Sequence, residues 1–227
     1  MKRIKLVFVL SFLCICQVSY GQDWPNLKRY RDANAQLGAP DGQNRVVFMG
    51  NSITDLWIQR SPDFFNDNPY IDRGISGQTT PQMLIRFRPD VIQLNPKAVV
   101  ILAGTNDIAG NTGPSTLGMI EDNLISMAQL AEINHIKVIL CSVLPAYKYF
   151  WSPKVHPAKK IVELNKWIKH YAQVHEFAYV NFYPVLANDK GGMKAKYSKD
   201  GVHPNKAGYK VMEPLVEKVI HKVLSSN

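Results

Sequence analysis

The chain has few cysteines, no long apolar span and no surplus of acid. It has three cysteines in 227 residues, and two of them, Cys14 and Cys16, fall in the first 21. The third, Cys141, sits in the apolar run Lys137–Val143, where a buried, inert thiol is expected. A disulfide scaffold and a cysteine-rich zinc site are therefore excluded, and stability must come from a packed core. The longest apolar run, Leu6–Cys16, is broken only by Ser11 and is too short to cross a bilayer comfortably. Internal repeats, low-complexity tracts and paired Asp/His metal motifs are also missing. Lys and Arg outnumber Asp and Glu by 27 to 18, while 46% of residues are hydrophobic and 20% charged. That balance belongs to a globular domain, and the length suits one core better than two.

The basic start Lys2, Arg3, Lys5, the short apolar run and small residues at Ser19 and Gly21 read as a secretory signal peptide cleaved after Gly21. Neither Cys14 nor Cys16 has the small-residue context of a lipid-attachment site, so release to a secreted or periplasmic location is expected. Removal of residues 1–21 would take three positive charges and lower the net charge from +9 to +6. Residues 22–44 are polar and rich in Asn, Asp, Gly and Pro. They read as an N-terminal arm anchored by Trp24 and Tyr30, ahead of a catalytic-size domain at 45–227.

From residue 45 onward, strand and helix patterns alternate. Apolar, β-rich runs occur at Arg45–Met49, Tyr70–Arg73, Lys97–Ala103, Lys137–Val143 and Ala178–Phe182, each apolar enough to be covered on both faces. Helical spacing covers Thr80–Leu94, Ser115–His135 and Ala158–His175. A last helix after Pro204 carries Val211, Leu215, Val219 and Val223 at four-residue steps. The pattern predicts an α/β fold, a three-layer α/β/α sandwich around five parallel strands. Ligands of such sheets gather at the carboxyl ends of the strands, so the residues that follow each strand matter most.

Gly50-Asn51-Ser52-Ile53-Thr54 follows the first strand. It places Ser52 at a helix start, where free N–H groups favour developing negative charge, although a serine there can also be a simple cap. The second glycine of a Gly-x-Ser-x-Gly elbow is absent, which argues against an α/β-hydrolase turn. Ile75-Ser76-Gly77-Gln78-Thr79 follows the second strand, and Gly104-Thr105-Asn106-Asp107 the third. Gly77 can bring backbone close to a ligand, and the Asn106 amide can donate without adding charge. Asp200-Gly201-Val202-His203-Pro204 precedes the last helix. An Asp three residues before a His, across a glycine, can orient the imidazole as a base for a serine. His156, before a proline in an aromatic loop, is the rival base.

Together these four blocks resemble those of the SGNH (GDSL-type) hydrolase superfamily over residues 45–225, with Asn51 where aspartate is commoner. The resemblance implies a flavodoxin-like sheet and metal-free, cofactor-free ester hydrolysis. It casts Ser52 as nucleophile, His203 as general base and Asp200 as its orienting partner. The oxyanion would be held by the backbone N–H groups of Ser52 and Gly77 and by the Asn106 side chain.

Tyr147, Tyr149, Phe150 and Trp151 follow the fourth strand, and Tyr147, Tyr149 and Trp151 are candidate sugar-stacking residues. Eight lysines between 190 and 222 make either a solvated face or a steering surface for acidic polysaccharide or anionic lipid. No long apolar insertion suggests an acyl tunnel. The expected substrate is therefore a small ester or an acetylated carbohydrate, with no nucleic acid and no stable membrane insertion. A lysophospholipase or broad short-chain esterase is the second reading. Two readings of other classes are a carbohydrate-binding protein without turnover and a metallophosphoesterase using Asn51, Asp107 and His203.

Overall fold

The computed structural model describes residues 22–40 and 44–225, so the expected signal peptide at 1–21 lies outside the described residues. Five short strands form the middle layer: β1 (Val46–Gly50), β2 (Tyr70–Gly74), β3 (Ala98–Leu102), β4 (Lys137–Cys141) and β5 (Ala178–Val180). Every pairing is parallel and the order is β2-β1-β3-β4-β5. The helices are α1 (Arg31–Gln36), α2 (Ser52–Arg60), α3 (Pro62–Asn66), α4 (Thr80–Asp90), α5 (Thr105–Ala109), α6 (Leu117–Ile133), α7 (Pro157–Val174), α8 (Tyr183–Leu186) and α9 (Lys206–Ser225). Among the described residues no helix is long and apolar enough to cross a membrane.

Side-chain alternation along the strands divides the core in two. Val47, Met49, Val99, Ile101, Val138 and Leu140 face a layer containing Met83 and Phe87 of α4, Leu124 and Met127 of α6, and Ile161, Leu164 and Ile168 of α7. Val46, Phe48, Val100, Ile139 and Cys141 face the opposite layer, with Ile53 and Trp57 of α2, Phe64 of α3 and Tyr209, Met212, Val216 and Ile220 of α9. Consecutive strand residues thus serve opposite faces, which is why these runs are continuously apolar. Phe48 sits among Trp57, Phe64, Phe65 and Tyr70, and Trp57 stacks on Phe64 with ring centroids 5.1 Å apart.

The long elements lie within a few residues of their expected bounds. The expected Thr80–Leu94 helix stops at Asp90, because Pro89 removes a helical N–H and the chain continues as a 3₁₀ turn over Ile92–Leu94. The short α1, α3, α5 and α8 are additions to the sequence expectation.

Residues 22–40 pack on the sheet end rather than forming a core of their own. The Tyr30 hydroxyl donates to the Gly74 carbonyl, the Gln78 side chain donates to Pro25 O (2.7 Å) and the Gln82 side chain to Trp24 O (2.8 Å). Tyr30 is buried, whereas the Trp24 ring stays 42% exposed, so Tyr30 is the stronger anchor.

Beneath Tyr30 lies the buried Asp72 of β2. Its Oδ1 accepts the Gly74 N–H at 2.8 Å, while Oδ2 has no hydrogen-bond partner. Burial, reinforced by the charge of Asp55, raises this carboxyl to about 7 despite the Gly74 bond. The folded protein therefore holds a proton that the unfolded chain releases near the ordinary value of 3.8, and stability falls as pH rises from there to about 7. Asp72→Asn removes this term. Relative to the native protein, the variant should gain on the order of a few kcal/mol between about pH 5 and pH 8, read as the pH dependence of the difference in urea-unfolding free energy.

Candidate active site

Strand order reverses beside β1: the chain moves from β1 outward to β2, then returns to place β3 on the other side. The carboxyl ends of β1, β2 and β3 meet at that switch point, where an open α/β sheet forms its natural crevice. Three of the four sequence blocks emerge there. The fourth arrives with the loop before α9.

Gly50 ends β1 and must be glycine. A Cβ there would lie 2.0 Å from Thr54 Oγ1 and 3.0 Å from the Leu102 carbonyl. The tight turn puts Asn51 at the N-cap of α2, its Oδ1 accepting the Ile53 N–H at 3.0 Å. Capping is thus done by Asn51, and Ser52 is released from that role. As the first residue of α2, Ser52 has its N–H at the unpaired, positive end of the helix.

Ser52 Oγ lies 2.8 Å from His203 Nε2, and His203 Nδ1 lies 2.7 Å from Asp200 Oδ2. Asp200 Oδ1 also accepts the N–H groups of His203 (2.8 Å) and Val202 (2.9 Å) and the Ser198 hydroxyl (3.0 Å). Partial burial opposes ionisation of Asp200, but the His203 and Val202 hydrogen bonds outweigh it and lower the carboxyl to about 2. The structure therefore joins serine, imidazole and a fixed anion in one line, a geometry that can pass a proton from the hydroxyl to the ring. His156 is exposed at the start of α7 and takes no part in it.

The Ser52 hydroxyl opens into a cleft of about 330 Å³ lined by Ser52, Leu56, Ser76, Gly77, Asn106, Asn111, Trp151 and His203. Gly77 adopts φ +81°, a left-handed conformation that glycine takes without strain. Asn106, buried in α5, commits one amide N–H to the Gln78 carbonyl at 2.9 Å, and its NH₂ carries a second. The oxygen of a substrate bound beside Ser52 would thus meet neutral donors rather than a cation. Asp107 is turned away and buried, its Oδ1 accepting the Thr80 N–H (2.9 Å) and hydroxyl (2.6 Å). Burial raises its carboxyl.

The aromatic loop divides its residues. Trp151 lines the cleft, its ring centroid 6.2 Å from that of His203 and its indole N–H donating to Asn111 Oδ1 at 2.8 Å. Tyr149, expected to touch substrate, does not fit that role. It is fully buried, bonded to Thr105 Oγ1 at 2.8 Å and stacked under Trp151, so it supports the cleft wall from inside. Tyr147 is exposed but lies outside the cleft lining, beside Gly192. Leu56 and Asn111 line the cleft without having been singled out in the sequence. Asn111 could have been found, since it closes the loop that begins with Gly104.

The sequence matches the GDSL-like Lipase/Acylhydrolase family over residues 48–211, which contain all four blocks. The chain belongs to this family and is a carboxylic ester hydrolase. It is similar to a crystal structure of a candidate acylhydrolase from Bacteroides fragilis (49% identity, TM-score 0.88), with 90% of this chain and 100% of that one covered. A GDSL-like lipase from Bacteroides thetaiotaomicron is similar at 48% identity and TM-score 0.85, covering 87% and 98%. Esterase TesA from Pseudomonas aeruginosa is 26% identical over 179 residues, 77% of this chain and 82% of that protein.

Proposed function

We propose that the protein is an exported serine acylhydrolase that removes short acyl groups, acetyl above all, from carbohydrate. The hydrogen-bonded line Ser52–His203–Asp200, opening on the same cleft as Gly77 and Asn106, carries this reading. His203 Nε2 takes the Ser52 proton as Oγ attacks the ester carbonyl. Asp200, anionic down to very low pH, accepts from Nδ1, holds the ring in the tautomer with a free Nε2 and stabilises the imidazolium. Charge gathers on the former carbonyl oxygen, facing the N–H groups of Ser52 and Gly77 and the Asn106 amide. One such donor is typically worth about 10²–10³ in turnover. His203 then protonates the departing alcohol. Water, activated by the same imidazole, releases the acid from the acyl-enzyme.

The cleft beside Ser52 is small, about 330 Å³, which supports a short acyl group. Ser76, Asn111 and the indole of Trp151 line the same cleft, a mix of neutral hydrogen-bonding and aromatic groups that suits a hydroxylated ring. The signal-peptide pattern at 1–21 supports export. A lysophospholipase or broad esterase is the second reading, favoured by the exposed Phe150 and Tyr147 on the same loop, which could meet a lipid surface. Rates on acetylated xylan or pectin and on lysophosphatidylcholine separate the two; faster release from the lipid would overturn the carbohydrate assignment.

Ser52→Ala should leave the melting temperature nearly unchanged and lower esterase turnover by at least about 10³-fold. Mass spectrometry after fluorophosphonate treatment should find the adduct on Ser52 in the native protein. Hydrolysis of p-nitrophenyl esters should fall steeply from acetate to octanoate, a trend that Trp151→Ala should flatten by opening the cleft wall. Asp200, held at about 2, stays charged across the pH range in which such esters are assayed, so it should contribute no step to the activity profile there.

A further inference from the structure

The groups proposed to receive the oxyanion come from three separate segments, and one buried side chain reaches the supports of all three. Arg86 lies on the inner face of α4 with no solvent exposure. Its Nη2 donates to the Gly50 carbonyl at 2.9 Å, the last carbonyl of β1 before the Asn51–Ser52 turn. Its Nε donates to Gln78 Oε1 at 2.5 Å, gripping the residue next to Gly77. The Gln78 backbone carbonyl in turn accepts the Asn106 amide at 2.9 Å. Nη1 pairs with Asp90 Oδ2 at 3.0 Å, one turn further along α4.

This is a costly arrangement to bury. A guanidinium without water must have its charge balanced and its donors filled, and burial here lowers the arginine's basicity. An apolar side chain could fill the same volume. What it could not do is reinforce the Ile75 N–H bond to the Gly50 carbonyl (3.1 Å) with side-chain donors to Gly50 and to Gln78 at once. Gly77, open on its Cβ side, is held through hydrogen bonds: its carbonyl accepts the Asn111 amide at 3.1 Å, and the neighbouring Gln78 N–H donates to the Ile75 carbonyl at 3.3 Å. The planar fork of arginine supplies donors in set directions, whereas a lysine ammonium is a single point with three.

We infer that Arg86 is a positioning residue for the oxyanion-binding groups, setting the Ser52 turn, Gly77 and Asn106 at one spacing through Gly50 and Gln78. It touches no substrate and acts through backbone carbonyls and one amide. The N-terminal segment braces the same cluster from outside: Gln78 Nε2 donates to Pro25 O at 2.7 Å, and Asn34 Nδ2 donates to Asp90 Oδ1 at 2.8 Å. This inference rests on the proposed role of Ser52, Gly77 and Asn106.

Arg86→Lys keeps a cation for Asp90 but cannot span Gly50 and Gln78 together. A displacement of about 1 Å at such donors can cost about 10²-fold in rate. The variant should therefore lose about 10- to 100-fold in kcat on p-nitrophenyl acetate, with KM changed less than about threefold. Its affinity for an alkylboronic acid, whose tetrahedral serine adduct mimics the transition state, should fall in parallel with kcat/KM. A merely structural arginine would change the melting temperature without this proportionality. Gln78→Met, which cuts the Nε link and the Gln78–Pro25 bond but leaves the buried Arg86–Asp90 pair intact, should give a smaller loss of the same kind and carries the test if Arg86→Lys does not fold. Native kcat and boronate affinity in either folded variant would overturn the inference while leaving Ser52 as nucleophile. A fluorophosphonate adduct on a residue other than Ser52 would overturn both readings.

Discussion

The pairing of β1 on both its edges is the constraint from which the rest follows. Gly50 is in register with Gly74 on one side and with Leu102 on the other, so three strands end at the same level. Their following loops leave the sheet side by side, and no choice of loop sequence could separate them without breaking backbone ladders. Ser52, Gly77 and Asn106 are spread over more than fifty positions of chain, yet they line one cleft because the sheet delivers them there. Only His203 needs a different device. It is carried by a loop in front of α9, whose apolar stripe of Tyr209, Met212, Val216 and Ile220 is packed against the sheet layer that also holds Ile53 and Trp57 of α2. The Tyr209 hydroxyl donates to the Ile53 carbonyl at 2.7 Å, tying the two helices together within a turn or two of the serine and the histidine.

Much of this was legible in the sequence. A doubly covered strand such as Ala98–Leu102 is continuously apolar, and a half-covered helix such as α7 shows Ile161, Leu164 and Ile168 at helical steps. The four strand-end blocks stood out because they combine glycine, a small hydroxyl, an amide or an Asp/His pair at places where a crevice forms. α5, by contrast, has five residues, too few for a period to show, and α8 has four.

Two features escaped for a deeper reason. Tyr149 and Trp151 are both large aromatics in one loop, and nothing in their order tells which faces inward. That is decided by Thr105, 44 residues away by number but within hydrogen-bond reach of the Tyr149 hydroxyl. Arg86 hides in the charge pattern of α4, since an arginine in a helix ordinarily marks the solvent side. Its burial depends on acceptors contributed by Gly50, Gln78 and Asp90, two of which lie off the helix. Sequence periodicity reports apolar faces. A polar group satisfied by distant partners leaves no such trace.

Cys141 has a quieter consequence. It is enclosed at the end of β4, and its burial pushes the thiol well above its ordinary acidity range, so in the native state it offers neither access nor thiolate. In a chain freed of residues 1–21 it is the only sulfhydryl. Alkylating reagents can then reach it solely when the middle layer parts, which makes that sulfur an internal stopwatch for how often the enzyme opens.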